Sequence, residues 1–437
     1  MIKKMFSVVF AALLLTAGNA QQVKHVIIVT IDGFRPDFYL DSASWHTPHL
    51  QQLMHHGVYA YGVNSVLPSI TYPSHTTIVT GVWPNKHGVY YNNKFDEKGW
   101  DNKMYWNDTS IHSPTLWAAV HAQGKKVAAL LWPVSAAAPV DYDIPDIGSL
   151  GDSIREAYSQ PAGFVDEVKQ NVFNGAAKIE YGKDYNVAKI AAYVIGKAQP
   201  ALMTVHFFSV DHAEHTVGRT GQMVEEAISD ADSGVGIIQD AIVKQGLANS
   251  TVLIVTGDHG FKNVTANVNP NVWLAQAGLI KDAKQDDWKA MFYSAGGSTF
   301  LYLKDRDDRQ TEKQVLDILH ALPDTVKRYF SIVDKQMMNS VGGDPLAAFA
   351  LTGENGAAFG NAVSGKAIRP GKGGTHGFFP NTREIQTGFI AFGPGINTKG
   401  MMIKEMNLRD IAPLVAWLLN VPFPSADGKI PSGILTK

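Results

Sequence analysis

The chain predicts an α/β fold: a doubly wound, mostly parallel sheet with helices on both faces and an inserted cap region. Three near-continuous apolar runs carry that expectation, Val26 to Ile31, Leu202 to Val210 and Val252 to Gly257. Runs rich in Val, Ile and Phe with few polar breaks suit strands buried on both faces of a parallel sheet. Helix-period and strand-like segments alternate along most of the length, as a sheet wound on both sides requires. Each of the three runs also stops on an aspartate, at Asp32, Asp211 and Asp258. Ligands of open α/β sheets bind just beyond the carboxyl ends of the strands, so three carboxylates are expected to converge at one edge.

The elements follow in order. Thr47 and Pro48 open a helix through Leu50, Leu53 and Met54, with threonine as cap and proline in the first turn. A strand is expected from Val58 to Val66. The proline-bounded turn from Leu67 to His75 leads into a helix through Thr76, Ile78 and Val79, stopped by Gly81, which places Thr71 near a helix N-terminus. A helix from Pro114 to Gln123 precedes a strand from Val127 to Trp132, and a helix from Tyr185 to Lys197 precedes the run to Asp211. Met223 to Gln245 is expected to be helical, Gln386 to Phe392 a strand, and Leu408 to Leu419 a helix. From about Val264 to Gly374 the alternation weakens: Thr299 to Leu303 looks extended, and Gly342 to Gly374 is rich in Ala and Gly. That stretch reads as an insertion or cap within one catalytic domain spanning residues 21–437.

The ends and the composition bound the setting. Residues 1–20 have the plan of a signal peptide, with Lys3 and Lys4, the apolar stretch Phe6 to Leu15, and small residues up to Ala20. Cleavage is expected before Gln21; an uncleaved anchor is the competing reading. No later run reaches about 18 apolar residues, so no transmembrane anchor is expected in the mature protein. The chain has no cysteine, which favours a bacterial exported protein, periplasmic or secreted, and removes Cys-ligated zinc and any thiol nucleophile. The Asn-x-Ser/Thr triplets at Asn107, Asn249 and Asn263 then read as chance matches. A net charge of -2 offers no basic stripe, so nucleic acid is not an expected obligate partner, whereas a small ligand in a focused pocket is compatible. Oligomeric state is not legible.

Histidines accompany the strand-end aspartates, and this separates a metal site from ordinary turn chemistry. His215 lies four residues after Asp211, His259 directly follows Asp258, and His376 sits in a glycine-rich loop. Two three-ligand sites can be built, Asp211 with His215 and His376, and Asp32 with Asp258 and His259. An aspartate after a strand is by itself more often a turn former or helix cap, and a histidine inside an apolar strand, such as His206, is more often packed than ligating. The equal share of imidazole tilts the choice of metal to zinc over oxygen-seeking ions. Two dications against three carboxylates leave a net positive site that attracts an anion, and a phosphate ester fits. Thr71 is a candidate nucleophile, since metal coordination and the positive end of a helix both favour its alkoxide; a plain helix-cap threonine is the alternative.

Several ordered segments together resemble one known family. They are Val29-Thr-Ile-Asp-Gly-Phe-Arg-Pro36, Leu67-Pro-Ser-Ile-Thr-Tyr-Pro-Ser-His-Thr-Thr-Ile-Val-Thr-Gly81, Asp211 with His215 and Gly218, Thr256-Gly-Asp-His-Gly260, and Thr375-His-Gly377. The set resembles the nucleotide pyrophosphatase/phosphodiesterase family of the alkaline phosphatase superfamily, from about Val26 to Leu435. The resemblance implies an alkaline phosphatase-like fold and two zinc ions. It implies Thr71 as the nucleophile of a covalent intermediate. Asp32, Asp258 and His259 match the ligands of the zinc that activates it, and Asp211, His215 and His376 those of the zinc facing the leaving group. Asn92 matches an asparagine whose amide donates to a phosphoryl oxygen. Two positions depart from the pattern: Ser74 stands where many relatives have asparagine, and Glu214 where they commonly have glycine.

The expected reaction is hydrolysis of phosphodiester or pyrophosphate bonds with release of a nucleoside monophosphate. A diester monoanion needs less positive charge than a monoester dianion, and the strand-end loops offer no clear Lys/Arg pair; Arg35 and Lys94 are nearby, and Arg35 equally suits a structural ion pair. Tyr72 is the expected base-stacking ring, ahead of Trp45, Tyr105, Trp106 and Tyr142. The alternatives are an alkaline phosphomonoesterase, a phosphodiesterase for lipid or choline headgroups, and, in another class, a non-catalytic metal-dependent binding protein. The sulfatase branch is disfavoured because its Cys- or Ser-derived nucleophile motif is absent.

Overall fold

The computed structural model describes residues 23–95, 103–283 and 286–436. The expected signal peptide lies outside these. Among the described residues eight strands form the central sheet: β1 (His25–Ile31), β2 (Val58–Ala60), β3 (Val127–Leu130), β4 (Tyr142–Ile144), β5 (Leu202–Phe207), β6 (Thr251–Thr256), β7 (Phe389–Phe392) and β8 (Met401–Ile403), in the order β8-β2-β7-β6-β1-β5-β3-β4. Strand β7 runs antiparallel to both its neighbours, and the other pairings are parallel. The doubly wound α/β expectation is therefore met.

The helices packed around this sheet include α1 (Pro48–His56), α2 (Thr71–Thr80), α3 (Leu116–His121), α4 (Asp184–Ala198), α5 (Ser209–Val217), α6 (Gln222–Lys244) and α7 (Ile411–Leu418). The pleat of β1 shows how the two faces are filled. Ile27, Val29 and Ile31 point into a core with Leu50 and Leu53 of α1, Ile190 and Val194 of α4, and Val235 and Ile238 of α6. Val26 and Ile28 point the other way, to Ile78 and Val79 of α2, Trp117 of α3, and Leu414 and Val415 of α7. Alternate residues thus feed opposite layers, and at about 1.5 to 3 kcal/mol for each fully buried large side chain these two cores hold the sheet between its helices.

Three elements differ from expectation for identifiable reasons. The run Val58 to Val66 is not one strand: it breaks at Tyr61 and Gly62 and resumes at Val63–Asn64, where it pairs with Met406 and Asn407. Strand β3 stops at Leu130 because Leu131 takes a left-handed backbone, φ 54°. The run Leu202 to Val210 leaves the sheet at Phe207 and turns into α5. Within the 264–374 stretch, Ala290–Ala295, Ser298–Leu303, Phe330–Val333 and Ala350–Gly353 form a four-stranded antiparallel sheet with its own core around Phe292, Leu301 and Leu351.

Candidate metal centre

Strands β5, β1 and β6 are adjacent, so their carboxyl ends stand side by side. Asp32 follows β1 directly, its N–H donating to Phe207 O at 2.9 Å. Asp258 lies two residues beyond β6, and its Oδ1 accepts from Gly33 N at 3.1 Å. Asp211 reaches the same edge by a helix rather than a strand. Asp184, buried at the start of α4, accepts the N–H groups of Phe208 at 2.7 Å and Ser209 at 3.3 Å, and so supplies acceptors to the opening of α5. Asp211 and His215 then lie one turn apart on one face.

All six expected ligands meet. Asp211 Oδ1 is 3.3 Å from His215 Nε2 and 3.5 Å from His376 Nε2. His259 Nε2 is 3.2 Å from Asp32 Oδ1 and 3.1 Å from Asp258 Oδ2. Asp211, assigned by sequence to one group alone, is within reach of both: donor atoms of Asp211, His215 and His376 lie within 4.8 Å of one another, and so do those of Asp32, Asp211 and His259. The rings of His259 and His376 stack at 3.7 Å, joining the clusters.

The donor atoms fit metal ions better than they fit each other. His215 Nδ1 lies 3.0 Å from Gly374 O and His376 Nδ1 3.1 Å from Ser69 O; a carbonyl only accepts, so each Nδ1 carries the proton. Burial lowers the proton affinity of both rings, keeping them neutral. Their Nε2 lone pairs therefore confront one another at 3.2 Å with no proton between them. Asp32 Oδ1, Asp211 Oδ1 and Asp258 Oδ2 are buried without a hydrogen-bond partner among the described residues. Burial and the neighbouring carboxylates push Asp211 well up and Asp258 up from the usual carboxylate range. Burial acts to raise Asp32 too, but His206 and His259 hold it well below that range. Converging lone pairs on buried carboxylates and neutral imidazoles call for positive charge at the centre, and the oxygen and nitrogen donor set is one that zinc accepts.

Thr71 is the first residue of α2, after Ile70 in extended conformation, and Gly81 ends the helix in the left-handed region at φ 70°. The N-cap position is held by Ile70, which makes no side-chain cap bond, so Thr71 is not serving as the cap. The segment before it is tied to the His376 loop, because Ser69 O also accepts Gly377 N at 2.9 Å. Asn92 Oδ1 accepts Tyr72 N at 3.0 Å, and Asn92 lines a cavity of about 230 Å3 with Ile70, Tyr91, Tyr293, His215 and His376. Tyr72, expected as a stacking platform, is buried instead. Its ring packs with Val89, Tyr105 and Val134, and its hydroxyl donates to Asp146 at 3.0 Å, so it belongs to the packed interior. The other aromatic candidates are also engaged in packing: Trp45 against Phe38 and Arg35, Trp106 against Tyr158, Tyr142 against Phe164, and Tyr105 beneath Lys94.

Sequence reasoning missed the supporting residues. His206, read as a packed strand histidine, places Nε2 3.2 Å from Asp32 Oδ2 and Nδ1 3.2 Å from Leu131 O. Its register opposite Thr30, two residues before Asp32, was the signal. Ser74 holds Ser65 at 3.1 Å, and Ser65 donates to Asp258 O at 2.6 Å, so this departure supports a ligand loop. Of the two roles open to Arg35 from sequence, it closes an ion pair, and its partner is the second departure: Arg35 Nε is 3.2 Å from Glu214 Oε1.

Residues 26–378 match the family model described as type I phosphodiesterase / nucleotide pyrophosphatase. Among curated proteins, the chain is 26% identical over 245 residues to bovine ectonucleotide pyrophosphatase/phosphodiesterase family member 3, covering 54% of this chain and 24% of that protein. It is 24% identical over 408 residues to venom phosphodiesterase 2 of Crotalus adamanteus, covering 88% and 44%. The chain thus spans less than half the length of these relatives. Among solved structures, murine ectonucleotide pyrophosphatase/phosphodiesterase 5, an inactive form in complex with AMP, superposes with a TM-score of 0.67 at 22% identity, over 94% of this chain and 97% of that one. The human protein gives 0.68 at 20% identity, over 93% and 97%. The alkaline phosphatase-like fold is shared.

Proposed function

The chain belongs to the type I phosphodiesterase/nucleotide pyrophosphatase family, and from that premise we propose that it is an exported hydrolase that splits phosphodiester or pyrophosphate bonds of small nucleotides, releasing a nucleoside monophosphate. The observation that carries this reading is the meeting of Asp32, Asp211, Asp258, His215, His259 and His376 in two joined clusters. Asp32, Asp258 and His259 would hold one zinc ion, and Asp211, His215 and His376 a second. Zinc bound there supplies Lewis acidity that favours ionised hydroxyls and offsets charge on phosphoryl oxygens.

The protein's own groups account for the rest. Thr71 Oγ, at the first turn of α2, forms the bond to phosphorus as the bond to the leaving oxygen breaks; water then displaces Thr71 and returns its hydroxyl. Asn92, its oxygen engaged by Tyr72 N, has its amide nitrogen as donor for a non-bridging oxygen. No lysine or arginine lines the cavity among the described residues, which favours a diester monoanion over a monoester dianion. The AMP bound to the murine relative supports a nucleotide.

We further propose one catalytic domain in which 264–374 is a cap, supported by Tyr293 and Ser294 of its antiparallel sheet lining the cavity. Among the described residues no helix is long and apolar enough to cross a membrane.

The test compares purified protein, with its metal content analysed, on a nitrophenyl nucleotide diester, nitrophenyl phosphate and a choline diester. The nucleotide diester is the expected best substrate; preference for the monoester or the choline ester moves the assignment to that alternative. Metal binding without turnover of any of the three supports the non-catalytic binding protein.

A further inference from the structure

The loops that carry the candidate ligands are tied together by charges that the proposed reaction does not use. Glu214 sits on α5 between Asp211 and His215, and Arg35 lies three residues after Asp32. Both are fully buried, at 0% and 1% exposure, with Arg35 Nε 3.2 Å from Glu214 Oε1. The other edge of the guanidinium meets Asp37, Nη2 to Oδ2 at 3.1 Å, and Asp37 Oδ1 lies 3.7 Å from Arg219 Nη2 just beyond α5. Arg219 Nη1 then donates to Phe261 O at 2.6 Å, in the loop of Asp258 and His259. Arg35 also lies over the Phe38 ring at 4.4 Å, which fixes the plane of its fork. Four residues of alternating charge, Glu214, Arg35, Asp37 and Arg219, therefore link the Asp32 loop, α5 and the loop of Asp258 and His259. Gly33 belongs to the same fit: a Cβ there would come within 2.9 Å of Glu214 Oε2, and φ is +74°.

We propose that Arg35 and Glu214 are positioning residues that set the separation of the two ligand clusters. The inference rests on the two-zinc reading of the site. Asp32 enters its cluster from the loop after β1 and Asp211 enters from α5, so a shift of α5 against the Asp32 loop moves one ligand group relative to the other. A buried ion pair is a poor source of stability compared with apolar residues of similar volume, yet it fixes relative position when its geometry is bidentate or stacked. Groups that support metal ligands commonly change metal affinity by about 10- to 100-fold when replaced.

The experiment measures zinc affinity by competition with a chromophoric chelator, together with kcat and KM on a nitrophenyl nucleotide diester. The proteins are the wild type, Glu214→Gln, and the double variant Arg35→Met/Glu214→Leu. Glu214→Gln should lose about tenfold or more in affinity for the weaker zinc equivalent, with kcat falling and KM within about twofold. The double variant should recover thermal stability but neither zinc affinity nor kcat, which separates positioning from folding, and it decides the matter if the single variant does not fold. Wild-type zinc affinity and kcat in a stable double variant overturn the positioning role alone. A wild-type protein that binds no zinc overturns the functional reading and the positioning role with it.

Discussion

Asn92 Oδ1 accepts the backbone N–H of Tyr72 at 3.0 Å, so the residue beside the nucleophile candidate sets which end of the Asn92 amide is free. Because a backbone nitrogen can only donate, the oxygen faces Tyr72 and Nδ2 is the available donor. Asn92→Ala should lower kcat on a nucleotide diester by about 100-fold or more, the usual loss for one such donor, with a smaller change in KM. Steady-state kinetics within threefold of wild type would remove Asn92 from the reaction.

Thr71→Ala should abolish turnover and leave zinc content unchanged. Rapid mixing should show a burst of released nitrophenol in the wild type wherever breakdown of the covalent intermediate is the slow step, and none in the variant. Thr71→Ser, which keeps a hydroxyl at the first turn of α2, should retain measurable activity. Undiminished turnover in Thr71→Ala would rule out a covalent threonine.

The two clusters share Asp211 but not His376, so their ligands should behave differently. After dialysis, His376→Ala is expected to retain about one zinc equivalent per chain, whereas Asp211→Asn should retain less, because its carboxylate reaches both groups. Equal zinc content in the two variants would contradict the bridging position of Asp211.

Acid stability should depend on His87. It is buried, its Nδ1 accepts Val89 N at 3.2 Å, and Nε2 meets Thr77 Oγ1 at 3.0 Å, so a second ring proton would strike an N–H. Burial, the main cause, pushes its pKa from 6.5 down to about 3. A depressed folded value means that the unfolded chain binds the proton first. Stability is complete above about pH 6.5 and falls as the pH drops toward 3, by about 2 kcal/mol at pH 5. His87→Gln should flatten the dependence of melting temperature on pH in that window, and an unchanged slope would assign acid lability to other groups.

The three aspartates were legible because buried parallel strands must be apolar along their length, so a carboxylate that follows one stands out; Thr71 was singled out only by the family resemblance. The route of Asp211 was not. Val210 continues the apolar run, but Phe208 already has helical angles, φ −113° and ψ −22°, and the acceptor that opens the helix is Asp184, 24 residues earlier. Period alone does not distinguish a buried strand from a buried helical turn. His206 and Glu214 were obscure for a related reason: each looks like an ordinary residue of its element until the partner from another loop, Asp32 or Arg35, is in place. The antiparallel course of β7 likewise depends on where the chain returns after the 264–374 stretch.

Of the six converging donors, His376 alone is encoded after that stretch. Asp32, Asp211, Asp258 and His259 sit on or just beyond β1, α5 and β6, and neither strand pairs with the four-stranded sheet of residues 290–353. The second cluster is complete only where His376, beyond that sheet in sequence, is held at Ser69. Uptake of the last metal equivalent would then report maturation, marking molecules in which residues 290–376 have folded from those in which only the central sheet has.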